Sequence, residues 1–192
     1  MIRIPERSVR AHLAWATWHF QDIVQHRTGG GNPFGNIGVR YVVPGDPAAT
    51  AALDAGVLRY RADPAAVKAF AADTDPDGRI AVPVLSIHAI DDPTAFVELE
   101  HAFAATMARA GHAANLVQVY TADDEHSYLA DPVYPAAMSA LLAWAEGGEK
   151  PTPQRVASLC ARFEPRFGPG CRIRPDFAPA PLASRIAERD RP

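Results

Sequence analysis

Residues 82–90, VPVLSIHAI, constrain this chain more than any other stretch. The run is nearly unbroken in apolar character and rich in β-branched side chains, which suits a parallel strand covered on both faces. It ends in Asp91-Asp92-Pro93, and residues 94–110 then carry Phe96, Val97, Phe103 and Met107 at close to helical spacing before Gly111. Glycine suits the left-handed conformation that closes a helix. Residues 116–120, LVQVY, read as a second strand. Strand, helix and strand in that order predict a right-handed βαβ unit, because two parallel strands need a crossover between them. Ligands and chemistry collect beyond the carboxyl ends of such strands, and Asp92 and His126 both fall there.

The 192 residues are 48% hydrophobic and 21% charged, the balance of an ordinary globular chain long enough to bury a core. A formal net charge of -3 without a lysine and arginine cluster leaves no electrostatic footprint for nucleic acid. Arg172, Arg174, Arg185, Arg189 and Arg191 gather late in the sequence, but acidic residues are mixed among them and a solvated tail is expected. No run of about 18 apolar residues exists to span a membrane. The first residues, MIRIPERSVRAHLAW, lack the apolar core of a secretory signal, so the chain as written reads as cytoplasmic.

Cys160 and Cys171 bear on compartment too. They are eleven positions apart (171 minus 160), across Pro165, Gly168, Pro169 and Gly170, which allow the chain to double back. Two readings stand: a disulfide closing a short loop in an oxidising compartment, or two reduced thiols in a cytosolic protein. Two cysteines with no histidine beside them make a poor zinc site, and neither a metal nor a cofactor is expected.

Three regions follow from the pattern along the chain. Residues 1–78 read as a helical cap or lid. A helix is expected over 8–26, with Leu13, Ala16, Phe20, Ile23 and Val24 on one side, Trp15 and Trp18 widening the apolar surface, and Gly29-Gly30-Gly31 as the stop. A helix this aromatic must pack against something. His12, His19 and His26 recur on one face as a polar stripe rather than a metal ladder. The glycines and the following NPFGNIGVRY have no preceding strand and no GK[ST] ending, so they read as an irregular loop rather than a phosphate cradle.

Asp46-Pro47, Asp63-Pro64 and Asp131-Pro132 each set an N-cap before a proline whose missing N–H costs nothing in a first helical turn. They predict helices over 46–57, 63–72 and after 131. Asp75-Pro76-Asp77-Gly78 is a turn before the first strand. Residues 79–147 hold the βαβ unit and a helix over 135–146. Residues 148–192 contain a short helix over 153–163 and then a proline- and arginine-rich tail expected to cross the surface without strands.

Two convincing strands, both of interior character, are too few for an independent parallel sheet. The fold class is α/β with an incomplete sheet, whose open edge offers a place for association with another copy or another chain. Asp92 and His126 lie 34 positions apart (126 minus 92) on consecutive strand ends. Adjacent parallel strands run about 4.8 Å apart, close enough for turns to bring a carboxylate to an imidazole Nδ1. A histidine held this way keeps Nε2 free to take a proton from a nucleophile.

In these motifs the chain resembles the α/β-hydrolase superfamily. VPVLSIHAIDDP is similar to the strand and acid turn near the end of that fold, DDEHSYL to its histidine turn, and LLAWAEGGEKPTP to its closing helix. GGGNPFGN, ALDAGVLRYRADPAAVKAF and the two late cysteines resemble a bacterial, usually exported branch near the feruloyl esterases and tannases. The resemblance covers about residues 28–180. It implies a serine-type esterase acting on a small-molecule ester, with Asp92 as acid, His126 as base and a full-length relative that is secreted or periplasmic. The family order is nucleophile, acid, histidine, with the serine on a G-x-S-x-G elbow. No such elbow occurs, and Ser8, Ser86, Ser127, Ser139, Ser158 and Ser184 all lack the flanking glycines. The nucleophile half is absent from these residues, and a chain of this kind is expected to be inactive alone. Asp91 and Ser127 stand where that branch often pairs two cysteines, and Glu125 replaces the usual glycine before the histidine.

Other readings of the same residues remain open at this level. Asp92 could cap the following helix, Asp91 could take its place as the acid, and His126 could be an exposed loop histidine beside Asp123, Asp124 and Glu125. His88 reads as a satisfied core histidine. A metal held by His88, Asp91, Asp92 and His126 is the weaker alternative. A non-catalytic interaction module that keeps half of the fold is the alternative function.

Overall fold

The structure, a computed structural model, describes residues 9–184. Helices α1 (Val9–Asp22), α2 (Pro47–Gly56) and α3 (Pro64–Thr74) come first, then β1 (Val84–Ala89), α4 (Glu98–Arg109), β2 (Leu116–Thr121), α5 (Val133–Ala145) and α6 (Pro153–Phe167). The described residues form two compact units, 9–75 and 76–184, which meet in sequence inside the turn expected at 75–78. The described part of the tail, up to 184, belongs to the second unit. Arg185, Arg189, Arg191 and Ser8 lie outside the described residues.

In the first unit, Asp46 and Asp63 cap their helices as expected, accepting from the N–H groups of Ala49 and Ala65. α1 ends in a π-helical turn, Ile23–Arg27, and Gly29 and Gly30 follow at positive φ. Arg27 then ties the turn to Asp22 and, from α3, to Asp73, both at 2.9 Å. Phe20, Phe34 and Phe70 touch in series, the first pair tilted and the second edge-to-face, joining α1, the loop and α3. The irregular loop is fixed by Asn36, whose side chain donates to Leu58 O (2.7 Å) and accepts from Tyr60 N (2.7 Å). The expectation that the whole aromatic face of α1 packs is not met. Trp15 and Trp18 remain 60% and 63% exposed, touching His19 edge-on. Only Ala66 and Val67 are buried apolar residues in this unit among those described, too few to form a core that would cover the indoles.

The second unit is α/β. β1 and β2 run parallel in register from Val84 opposite Leu116 to Ala89 opposite Thr121. Both faces are covered, as expected of a parallel strand, but the two differ in character. On one face Leu85, Ile87, Val117 and Val119 pack with Val133, Ala136 and Ala140 of α5 and with Val156 and Cys160 of α6. Val119, Val133 and Val156 are fully buried, each contributing about 1.5–3 kcal/mol. The opposite face, toward α4, carries Ser86, His88, Gln118 and Tyr120; Glu100 from α4 accepts from Ser86 and Gln118 and lies 3.6 Å from His88, while the buried Tyr120 hydroxyl has no hydrogen-bond partner among the described residues. Gly78 lets the incoming chain pass against α4: its φ is +73°, and a Cβ there would lie 2.5 Å from Thr106 O.

Three boundaries differ from expectation for local reasons. α4 starts at Glu98 rather than Thr94 because the Asp92 side chain holds Thr94 and Ala95 in a turn. α5 starts at Val133 with Pro132 itself at the cap, so Asp131 does not cap it by a side-chain hydrogen bond. α6 runs on through Pro165 to Phe167, and its Glu164 then accepts from Gly170 N (2.8 Å) and Cys171 N (2.9 Å) to reverse the chain. The returning tail carries no strand among the described residues but makes one isolated bridge. Ile173 makes an antiparallel bridge with Thr121, with Ala122 N donating to Arg172 O and Arg174 N to Tyr120 O. That closes one edge of the sheet at its carboxyl end, while β1 has β2 as its single strand partner among the described residues.

Cys160 and Cys171 are joined in a disulfide with 5.9 Å between their Cα atoms. Closing an 11-residue separation limits the unfolded chain by about 3 kcal/mol. Reductant should therefore lower the stability of the native chain by about that much in urea titrations, and leave Cys171→Ala unaffected. Coincident native curves with and without reductant would refute the contribution.

Candidate active site

The sheet continues one step past its strands. Ile90 N donates to Thr121 O (2.9 Å) and Asp91 N to Asp123 O (3.1 Å), so the two outgoing chains stay side by side until the acid turn. There Asp92 folds inward, its side chain 5% exposed. Its Oδ1 accepts from Thr94 N (2.7 Å) and Ala95 N (2.9 Å), and its Oδ2 accepts from His126 Nδ1 at 2.8 Å. The capping role and the partnership with histidine are thus held by the same carboxylate, one oxygen each. Burial pushes the Asp92 carboxyl up, but the His126 hydrogen bond and the two backbone N–H groups outweigh it and hold the group below the usual carboxylate range. Asp91 is exposed, and its backbone rather than its side chain engages the neighbouring loop.

His126 is 45% exposed at its side chain, and its Nε2 makes no hydrogen bond among the described residues. It is not a free loop histidine. Asp123, one of its acidic neighbours, is buried and pairs with Arg172 at 3.4 Å. The residue after the histidine, Ser127, has φ +65°, an uncommon conformation for a side chain with a Cβ. Tyr134 of α5 secures that loop, donating from Oη to Ser127 O (3.0 Å) and accepting from Leu129 N (3.1 Å).

His88 lies beneath the acid turn. Its Nε2 is 2.9 Å from Ala95 O and 3.7 Å from Asp92 Oδ2, and its Nδ1 is 3.6 Å from Glu100 Oε1. Glu100 Oε2 accepts from Ser86 Oγ (2.6 Å) and Gln118 Nε2 (2.7 Å). Burial pushes the Glu100 carboxyl up, and His88, Ser86 and Gln118 together bring it below its ordinary value. The Glu100 carboxylate raises His88 against the opposing effect of burial, and the Ala95 carbonyl adds to it.

The structure therefore brings Asp92 and His126 together and leaves Asp91 aside. No group of three or more histidine, cysteine, aspartate or glutamate side chains is placed to hold a metal among the described residues. No serine hydroxyl bonds His126 there: Ser86 donates to Glu100, Ser158 to Gln154 O and Ser184 to Pro181 O. Sequence reasoning missed Glu100 and Tyr134. A signal for Glu100 existed, since it lies four residues after Phe96 and three before Phe103, a carboxylate on the apolar side of a helix.

A buried carboxylate on Nδ1 and an Nε2 without a hydrogen bond among the described residues, on a half-exposed ring, form an oriented base, able to receive a proton from a nucleophile brought within hydrogen-bond reach of Nε2. Comparison with family models, with curated proteins and with solved structures finds no match to this chain.

Proposed function

We propose that this chain supplies the acid and histidine of a serine-type acyl hydrolase of the α/β-hydrolase kind, acting on carboxylic esters, with the nucleophile carried by residues outside these 192. The observation that carries the reading is the 2.8 Å hydrogen bond from His126 Nδ1 to Asp92 at the ends of adjacent parallel strands. The second β1 edge, without a strand partner among the described residues, supports it, because a nucleophile strand and its neighbours have a place to join the sheet there. In the completed site the serine Oγ attacks the ester carbonyl as His126 Nε2 takes its proton. His126 then returns the proton to the leaving alcohol, and water releases the acyl group by the same route in a second cycle. Asp92 holds the ring throughout.

Two experiments test this. The purified chain should not turn over short p-nitrophenyl esters. Turnover that depends on one of its own serines and on His126 would overturn the division of the site. Expression together with an upstream-encoded segment bearing a strand and a G-x-S-x-G turn should restore hydrolysis.

A second reading, an interaction module that keeps the half-fold, is favoured by the same edge and by Tyr134, Met138 and Leu142, an exposed stripe on one side of α5. Light scattering after size exclusion separates the two. A stable monomer at micromolar concentration opposes the interaction module, and a defined oligomer without esterase activity on completion supports it.

A further inference from the structure

The acid turn has a support that the hydrolase reading does not use. Both nitrogens of His88 face acceptors: Nε2 faces the Ala95 carbonyl at 2.9 Å, and Nδ1 faces the Glu100 carboxylate at 3.6 Å. A neutral ring has one N–H and would turn a lone pair on one of them, whereas the imidazolium turns an N–H toward each, hydrogen-bonding Ala95 O and pairing by charge with Glu100. The ring is also largely out of water, its side chain 14% exposed. Ala95 is the residue whose N–H holds Asp92 Oδ1, so the carbonyl bound by His88 and the amide bound by Asp92 belong to one turn.

We infer that His88 is a positioning residue: a buried imidazolium, held charged by Glu100, that fixes the Ala95 turn and thereby the Asp92 carboxylate against His126. The titratable groups facing it are Asp92 from the turn, Glu100 from α4, Tyr120 opposite it on β2 and, through Asp92, His126. Tyr120 remains a neutral phenol, since burial and the nearby Glu100 both raise it. The arrangement alternates in sign from Glu100 to His88 to Asp92, so the acid of the pair is flanked by positive charge on its buried side as well as by His126. The catalytic use of this support rests on the hydrolase reading, but the support itself does not.

Nitrogen-15 imidazole spectra of the full chain test it directly. His88 should carry protons on both nitrogens at pH 7, and in Glu100→Gln it should lose the one on Nδ1. The downfield Nδ1–H resonance of His126, the signature of its bond to Asp92, gives the second readout. His88→Gln, whose amide N–H still reaches Ala95 O, should keep that resonance, and His88→Leu, of similar bulk, should lose it while circular dichroism stays native. A packing role predicts the reverse order. A singly protonated His88 in the native chain, or a His88→Leu chain that keeps the His126 resonance, overturns the inference. If these spectra behave as stated while the completed protein shows no esterase activity, the hydrolase reading fails and the positioning role stands. Esterase activity in a completed protein whose His88 is neutral gives the converse: the hydrolase reading stands and the positioning role fails.

Discussion

Glu100→Ala is expected to lose about 3–5 kcal/mol of stability in urea denaturation, the largest loss of any single substitution on the polar face of the sheet. The Glu100 side chain is 16% exposed and has three partners. Its removal leaves the Ser86 hydroxyl without its acceptor, leaves the Gln118 amide with the Glu100 carbonyl alone, and strands the His88 imidazolium against the sheet. Glu100→Gln should cost less, because it still accepts from Ser86 or Gln118. A loss below about 1 kcal/mol for the alanine variant would mean that water replaces the carboxylate and that the face is not closed.

The pH dependence of melting follows from the same groups. Asp92 and Glu100 are held below their ordinary values, so what they contribute is complete above the normal carboxylate range and disappears as acid titrates through their lowered values. His88 is raised, so its contribution is complete below its unperturbed value of 6.5 and disappears as pH rises through the raised one. Stability should therefore fall on both sides of a maximum, and Glu100→Gln should flatten the alkaline side. An unchanged alkaline limb in that variant would remove His88 from the explanation.

Asp92→Asn is the second large effect and concerns activity. In the proposed hydrolase, once completed, it should lower kcat by about four orders of magnitude. The amide oxygen can still accept from Thr94 N and Ala95 N, so the turn survives. What changes is the group facing His126 Nδ1. An NH2 there favours the tautomer with its proton on Nε2, which can no longer receive one from serine. Asp91→Asn should stay within about twofold, since that side chain lies outside the pair. Equal losses from the two variants would contradict the assignment of Asp92 as the acid.

Much of the second unit was legible because its signals are local. The apolar strands and Gly111 after the helix each act over a few residues, as the Asp-Pro caps at 46 and 63 do in the first unit, and Asp92 and His126 were readable because strand ends are. The polar face was harder. Ser86 and His88 interrupt an apolar run without breaking it, and only the helix that brings Glu100 over them makes them a network. The bridge from Ile173 to Thr121 was illegible for the same reason: one residue of pairing leaves no period in the sequence. The late start of α4 shows a side chain overriding helical spacing, since Asp92 claims the amides of Thr94 and Ala95 for a turn.

The two borders of the sheet have different consequences for stoichiometry. Next to β2, the segment around Ile173 occupies the carboxyl end, where Arg174 N and Arg172 O already bond the strand. The border beside β1 has no such cover among the described residues. Under the interaction-module proposal, a strand added at the β1 border pairs two molecules about a twofold axis, while the outer edge of β2 is bridged at Thr121 alone among the described residues. Under that proposal, how far association proceeds is set by how much of the β2 edge stays open before Thr121.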